Sequence, residues 1–138
     1  MELDHALTYA RQHTKGVLVT LKADGRPQTS NIMYAVDDDG VVRISVTADR
    51  AKAKNAARDP RVSLHITAED FWSYVVLEGD ADLTPVAAAP DDATVDELVG
   101  LYRAMSGEHP DWDEYRAAMV ADERLVVRIR PTHAYGMA

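Results

Sequence analysis

The side chains best suited to binding a small anion are concentrated in residues 50–61, which contain five cations and one acid. The whole chain carries a formal net charge of -8, so this local excess of positive charge runs against its composition. Arg50, Lys52 and Lys54 follow a β-branched stretch, which places them between a predicted strand and a short predicted helix. Free backbone N–H groups, a helix dipole and cationic side chains can converge on a phosphate at such a position. The segment therefore predicts an anion site, although a solvated helix face has the same composition.

A second candidate segment is a predicted strand that begins at Pro27 and carries four consecutive polar, uncharged residues, 28–31, before its apolar pattern resumes. Such side chains donate and accept hydrogen bonds without adding charge. A flat heterocycle needs partners of this kind at its edges, held on a rigid strand. The segment is therefore a candidate wall for a ring-shaped ligand. An edge strand with both faces in water would have the same pattern.

A third candidate segment is aromatic, Phe71-Trp72-Ser73-Tyr74, at the start of another predicted strand. Aromatic side chains here can cover a ring system or form a subunit contact. They are equally typical of residues in a hydrophobic core.

Composition excludes several classes of protein. The chain has 138 residues, of which 46% are hydrophobic and 28% charged, which is typical of one soluble domain spanning residues 1–138. The acidic balance argues against nucleic acid as the main partner, and no apolar run is long enough to cross a membrane. The N-terminus does not resemble an export signal, and the chain contains no cysteine, so we expect a cytoplasmic protein without disulfides.

The hydrophobic pattern predicts a mainly β, α+β fold in which most strands are joined by short turns. Six strands are predicted, at residues 16–21, 27–36, 41–47, 61–67, 71–83 and 125–135. Helices are predicted near the N-terminus and at residues 51–58, 91–106 and 111–122. Short connections favour antiparallel pairing, and the pattern as a whole favours a closed or partly closed β-barrel with inserted helices.

The order of these segments resembles the pyridoxamine-phosphate-oxidase-like split barrels. The resemblance is carried by the Asp-Gly hairpin, Pro-Gln-Thr-Ser-Asn at 27–31, Arg-Ala-Lys at 50–52, Asn-x-x-x-Asp-Pro-Arg at 55–61 and Trp-Ser-Tyr at 72–74. The chain resembles in particular the class B flavin/deazaflavin oxidoreductases, which use coenzyme F420. This resemblance implies a six-stranded antiparallel split β-barrel and a homodimer with its cofactor sites at the interface.

The resemblance also implies a role for each matching segment. The cofactor phosphate would be held by Arg50, Ala51, Lys52, Lys54 and Asn55. The deazaflavin ring and ribityl chain would be lined by Gln28, Ser30, Asn31, Ser45 and Val46. The partner subunit would contribute Trp72, Ser73 and Tyr74.

The implied chemistry is hydride transfer from reduced deazaflavin to an electron-poor small molecule. The phosphate motif does not distinguish F420 from FMN, so an FMN-dependent oxidase or reductase and a non-catalytic F420 carrier remain alternatives. No catalytic side chain is identified. Tyr74, His133 and Tyr135 are candidate proton donors, but each is explained equally well as a packed or hydrogen-bonded residue.

No metal site is predicted. Residues 37–40, Asp-Asp-Asp-Gly, lack the ligand spacing of a calcium loop and instead favour a hairpin turn. The acids around His109 suit a helix N-terminus, and the five histidines show no ligand spacing.

Overall fold

Seven strands and four helices make up the protein, and the computed structural model describes all 138 residues. The helices are α1 (Leu3–Arg11), α2 (Ala51–Arg58), α3 (Ala93–Ser106) and α4 (Trp112–Ala121). The strands are β1 (Lys15–Leu21), β2 (Pro27–Met33), β3 (Ala35–Val36), β4 (Val42–Thr47), β5 (Arg61–Thr67), β6 (Tyr74–Leu83) and β7 (Arg124–Met137). The predicted α+β class with inserted helices is confirmed, but the count of six strands is wrong by one. No helix has the length and apolar character needed to cross a bilayer.

All strands belong to one antiparallel sheet in the order β2-β1-β5-β6-β7-β4-β3. The sheet curls until β2 approaches β4, but no ladder joins those two strands. The barrel is therefore split, as the resemblance implied. Because β3 pairs only with Val42 and Arg43, the outer edge of β4 is unpaired from Ile44 to Thr47. This free edge borders the gap next to β2.

The extra strand arises because the predicted strand 27–36 breaks at Tyr34. Tyr34 is fully buried, its backbone N–H donates to Thr14 O at 2.8 Å, and its hydroxyl donates to Ala10 O at 2.7 Å. Burial raises the pKa of the Tyr34 phenol, so the hydroxyl remains a donor. These bonds attach Tyr34 to the end of α1, and the two residues that follow pair with β4 instead of β1.

The predicted strand 71–83 begins three residues late, at Tyr74. Phe71 has a φ of 71°, a backbone conformation that aromatic residues rarely adopt and that a strand does not allow. Asp70 Oδ1 accepts the N–H of Ser73 at 3.1 Å, which closes a turn over residues 70–73. The aromatic segment is therefore a projecting turn that leads into the strand.

Two hydrophobic clusters lie on opposite faces of the sheet. The larger one fills the concave face beneath α1 and α2 and includes Leu18, Leu64 and Ile129. The smaller one lies beneath α3 and α4, where Val126 points outward because side chains alternate along β7. α3 and α4 pack mainly against β3, β4 and β7. No helix covers the convex face of β1, β5 and β6.

Candidate functional site

A cationic cleft of about 330 Å³ lies where β4 ends and α2 begins. It is lined by Ser45, Val46, Thr47, Arg50, Lys52 and Arg124. Arg50 is the N-cap of α2, its side chain makes no capping bond, and the first turn of the helix contains no acid. In the first turn the backbone N–H groups of Ala51 and Lys52 have no acceptor within the helix, whereas that of Ala53 donates to Arg50 O at 3.1 Å. Positive side chains and free donors thus converge on one point.

Two polar atoms in this cleft, Thr47 Oγ1 and Arg124 Nε, are buried without a hydrogen-bond partner. Arg124 Nε is 3.8 Å from Asp122 Oδ2, which is too long for a hydrogen bond. Leaving a polar group buried and unpaired costs about 1–3 kcal/mol, and more for a charged group. Both groups can donate a hydrogen bond and both residues line the cleft, so they are candidate donors to an oxyanion bound there.

The charges in the cleft also favour an anion. Burial lowers the pKa of Lys52, and the neighbouring charges of Arg50 and Arg124 lower it further. The ammonium group is therefore held among other cations with no carboxylate against it. A bound anion would reverse this repulsion and raise the pKa of Lys52 again.

Arg124 and Thr47 are the two cleft residues that the sequence did not identify. Arg124 begins β7 and lies opposite Thr47 of β4 in the ladder. Its Nη1 donates to Ser45 Oγ at 3.2 Å, which holds the guanidinium over the outer face of β4. Only the β4–β7 register brings these residues together, and a single sequence contains no signal for that register.

The structure brings Arg50, Ala51 and Lys52 to the cleft but not the other two residues predicted beside them. Lys54 is exposed and lies about 200° around α2 from Lys52, so it points away. Asn55 is buried and bonded to Thr20, Gln28 and Arg58 rather than open to the cleft.

The predicted ring-lining residues separate into two groups. Gln28 and Ser30 are half-buried on one face of β2, whereas Asn31 is exposed on the opposite face, because side chains alternate along a strand. Ser45 lies in the cationic cleft. Val46 contributes its backbone there, since its side chain is buried in the larger core cluster.

Trp72 and Tyr74 line a different and larger cleft, of about 690 Å³, on the convex face of the sheet. Tyr135 lies in the same cleft, whereas His133 is on the surface with its ring 3.9 Å from Glu78. Ser73 turns the other way, and its backbone oxygen accepts from the Tyr9 hydroxyl at 3.1 Å. Within one chain, therefore, the aromatic residues do not reach the cationic cleft.

The fold and the cleft together define a split-barrel protein with a cationic cleft beside the barrel gap. Residues 3–138 match the family model described as pyridoxamine 5'-phosphate oxidase, and the chain belongs to this family.

Solved structures agree with this assignment. A conserved hypothetical protein from Mycobacterium tuberculosis is 24% identical with a TM-score of 0.75, and the match covers 99% of this chain and 84% of that one. A protein described as an F420 reductase is 25% identical with a TM-score of 0.66, over 88% of this chain and 89% of that one. A heme binding protein from Mycobacterium smegmatis is 23% identical with a TM-score of 0.68, over 96% of this chain and 52% of that one. Proteins with this fold thus bind chemically different ligands.

Proposed function

We propose that the protein is an oxidoreductase that binds coenzyme F420 and reduces an electron-poor small molecule. The observation that carries the proposal is the cationic cleft with its two unpaired buried donors, Thr47 Oγ1 and Arg124 Nε. Every polar side chain that lines this cleft is a cation or a hydroxyl, so the donor set fits the phosphate of a ribityl-phosphate cofactor. The similarity to an F420 reductase supports the deazaflavin over other cofactors.

In this proposal Arg50, Lys52 and Arg124 bind the phosphate, and Gln28 and Ser30 contact the ring or its ribityl chain in the gap between β2 and β4. When bound, the deazaflavin supplies a hydride to the acceptor. The chain's own part is to fix the position of the cofactor, to exclude water from the gap and to leave one ring face open. Tyr74 and Tyr135 remain candidate proton donors from the convex cleft.

A second candidate cofactor is FMN, because the same cleft fits its ribityl phosphate equally well. The two cofactors differ in their reaction with oxygen, since reduced flavin reacts readily with oxygen and reduced deazaflavin does so slowly. Anaerobic reduction followed by exposure to air therefore separates a reductase from an oxidase. A non-catalytic carrier would bind F420 but would not pass its hydride to any of a panel of enones, quinones and tetrapyrroles.

The proposal is tested by titrating the protein with F420, FMN and riboflavin, the last of which lacks the phosphate. We expect Arg50→Ala, Lys52→Ala and Arg124→Met each to weaken F420 or FMN binding by about 1–3 kcal/mol, the scale of a lost charge-assisted hydrogen bond. Riboflavin affinity should not change in any of the three.

Lys54→Ala is the matched control, because it removes the same charge from the same helix on the side away from the cleft. Its cofactor affinity should equal that of the wild type. Unchanged phosphate-dependent binding in all three cleft variants would refute the assignment of the site.

We also propose that the protein is a homodimer whose convex faces meet. The exposed apolar residues on this face include Phe71 at 67%, Trp72 at 76% and Met137 at 68% exposure. Exposed apolar patches of this kind mark interaction surfaces. The face also carries both signs of charge, for example Arg61 and Glu78 around a neighbouring hollow, so a second copy can place opposite charges across a two-fold axis. Trp72 and Tyr74 would then lie near the partner's cofactor.

A further inference from the structure

A chain of side-chain hydrogen bonds joins α2 to the first hairpin. Arg58 Nη2 donates to Asn55 Oδ1 at 2.8 Å. Asn55 Nδ2 lies 3.1 Å from Thr20 Oγ1 and 3.1 Å from Gln28 Oε1. Because Asn55 is only 6% exposed and Thr20 is fully buried, water has little access to this amide.

The direction of every bond in this chain follows from the arginine. A guanidinium group only donates, so the Asn55 atom beside Arg58 must be its oxygen, and the Asn55 NH2 group must face the hairpin. The Gln28 atom that meets this NH2 group must then be an oxygen. The Gln28 NH2 group is therefore turned away from Asn55, where it makes no hydrogen bond within the chain.

Gln28 lies on β2, the edge strand of the sheet that borders the barrel gap. Asn55 follows Lys52 by three residues on α2, a rise of about 4.5 Å along the helix. Side chains three residues apart are neighbours on a helix surface. Gln28 is also half-buried on the face of β2 that it shares with Ser30, beside the gap. Asn55, which holds the Gln28 amide, is thus about one helical turn from Lys52 of the cationic cleft.

We propose that Asn55 is a positioning residue that locks the Gln28 amide as a hydrogen-bond donor, so that the gap selects a cofactor with an acceptor atom at this point. A ring carbonyl oxygen or an unprotonated ring nitrogen meets this requirement. A glutamine that is free to rotate can present either its oxygen or its NH2 group to a ligand. With its orientation fixed, Gln28 presents only the NH2 group, so a ligand with a donor at that point leaves this group without a hydrogen-bond partner and binds less well. This inference rests on the proposed function, since it requires a phosphorylated ring cofactor in the gap.

The test is a double-mutant cycle on cofactor affinity. Asn55→Asp keeps the shape of the side chain and the contact with Arg58 but replaces the NH2 group by an oxygen. That oxygen accepts from Gln28 and turns the Gln28 oxygen toward the gap. We expect the Kd for FMN or F420 to rise about tenfold, the scale of one hydrogen bond lost against an unsatisfied partner.

The same Asn55→Asp change is then made in a Gln28→Ala background. There the factor by which it raises the cofactor Kd should be at least three times smaller, because only the added negative charge still acts. A purely structural role for Asn55 predicts equal effects in the two backgrounds, and that result would overturn the inference. Asn55→Ser replaces Asn55→Asp in the cycle if the charged variant does not fold.

Thr20→Val is the matched control, because it breaks the other bond of the Asn55 NH2 group with a side chain of the same shape. It should lower thermal stability and leave the cofactor Kd within twofold of the wild type. A loss of affinity as large as that of Asn55→Asp would count against the lock. Wild-type protein that binds neither FMN nor F420 would instead refute the proposed function, and the lock with it.

Discussion

Lys52 is the residue whose chemistry depends most directly on whether the cleft holds an anion. Its ordinary pKa of 10.5 is lowered by burial and by two arginines, so its charged form is less strongly favoured in the free protein than that of an isolated lysine. A phosphate stabilises the charged form, so binding is strongest at pH values below the lowered pKa. As the pH rises through that pKa, binding must first protonate the lysine, and affinity falls.

We therefore expect cofactor affinity to begin to decline below pH 10.5, the ordinary pKa of a lysine, while the phosphate keeps a constant charge because its second pKa is about 6. Lys52→Arg provides the comparison, since a guanidinium stays charged throughout this range. Titration of cofactor fluorescence at each pH measures the effect. A wild-type affinity that stays flat up to pH 10.5, or an equal decline in Lys52→Arg, would contradict this role of Lys52.

At the residue scale, the sequence identified the cleft through local signals and missed what depends on long-range pairing. Arg50, Ala51 and Lys52 lie together because they are neighbours at one strand-to-helix junction. Arg124 reaches the same point from more than 70 positions away, through a ladder register that no local pattern encodes. Lys54 was grouped with Lys52 by sequence proximity, although helix geometry separates residues two positions apart by about 200°.

At the element scale, β6 and β7 form the longest ladder of the sheet and contain one irregularity, opposite Gly79. Gly79 pairs with Pro131 while Glu78 pairs with His133, so Thr132 is the extra residue of a bulge. A proline has no N–H to give to a ladder, and the bulge accommodates it. This is how β7 continues past Pro131, as the sequence predicted, although the strand ends at Met137 and not at the predicted Tyr135.

Gly79→Ala should disrupt this bulge. A Cβ at this position would collide with the backbone carbonyl of Arg130 and with the Cα of Pro131, and neither backbone atom can move without shifting the strand. We expect the free energy of unfolding to fall by about 1–3 kcal/mol, the usual range for overpacking, as measured by urea denaturation.

Gly100→Ala serves as the control for that experiment. Gly100 lies inside α3, and an added methyl group there would meet no neighbouring heavy atom within 4 Å. Alanine should therefore raise stability by up to about 1 kcal/mol through helix propensity. A Gly79→Ala protein as stable as the wild type would show that the bulge is not as tightly packed as the structure indicates.

Most elements were predictable because their signals are local. The strand at 61–67 and the helix at 51–58 match the predicted bounds, since periodicity and flanking residues define both. The break at Tyr34 was not predictable, because the strand pattern runs through it and the cause is the contact with α1. The late start of β6 at Tyr74 depends on the positive φ of Phe71. The sequence could not show this, because aromatic residues are enriched in strands and Phe71 was therefore expected to be part of one.

At the scale of the whole molecule, the cationic cleft belongs to a chain with a net charge of -8. A distant anion is repelled by the molecule and is attracted only within about a Debye length of the cleft, which is about 8 Å at physiological salt. Local donors therefore contribute more to anion affinity than long-range steering does. The convex face differs from this, because Phe71, Trp72 and Met137 expose apolar surface there, so burial of apolar area contributes more to its contacts than its charged groups do.

The homodimer proposal makes a specific prediction about that face. Trp72 is its most exposed large apolar side chain, and Trp is the residue type most enriched among interface residues that dominate binding energy. We expect wild-type protein to sediment at twice the 15.2 kDa mass of the chain. Trp72→Glu should weaken association by about 2 kcal/mol or more, because it removes an apolar anchor and places a charge where water is excluded.

The matched control is Val86→Glu, which adds the same charge at an apolar residue that is 39% exposed and lies outside the convex cleft. It should sediment as the wild type does. If the sites are shared, the Trp72→Glu protein also binds cofactor more weakly at concentrations where it is monomeric, while its unfolding free energy remains unchanged. A wild-type protein that is monomeric at high micromolar concentration would refute the homodimer proposal.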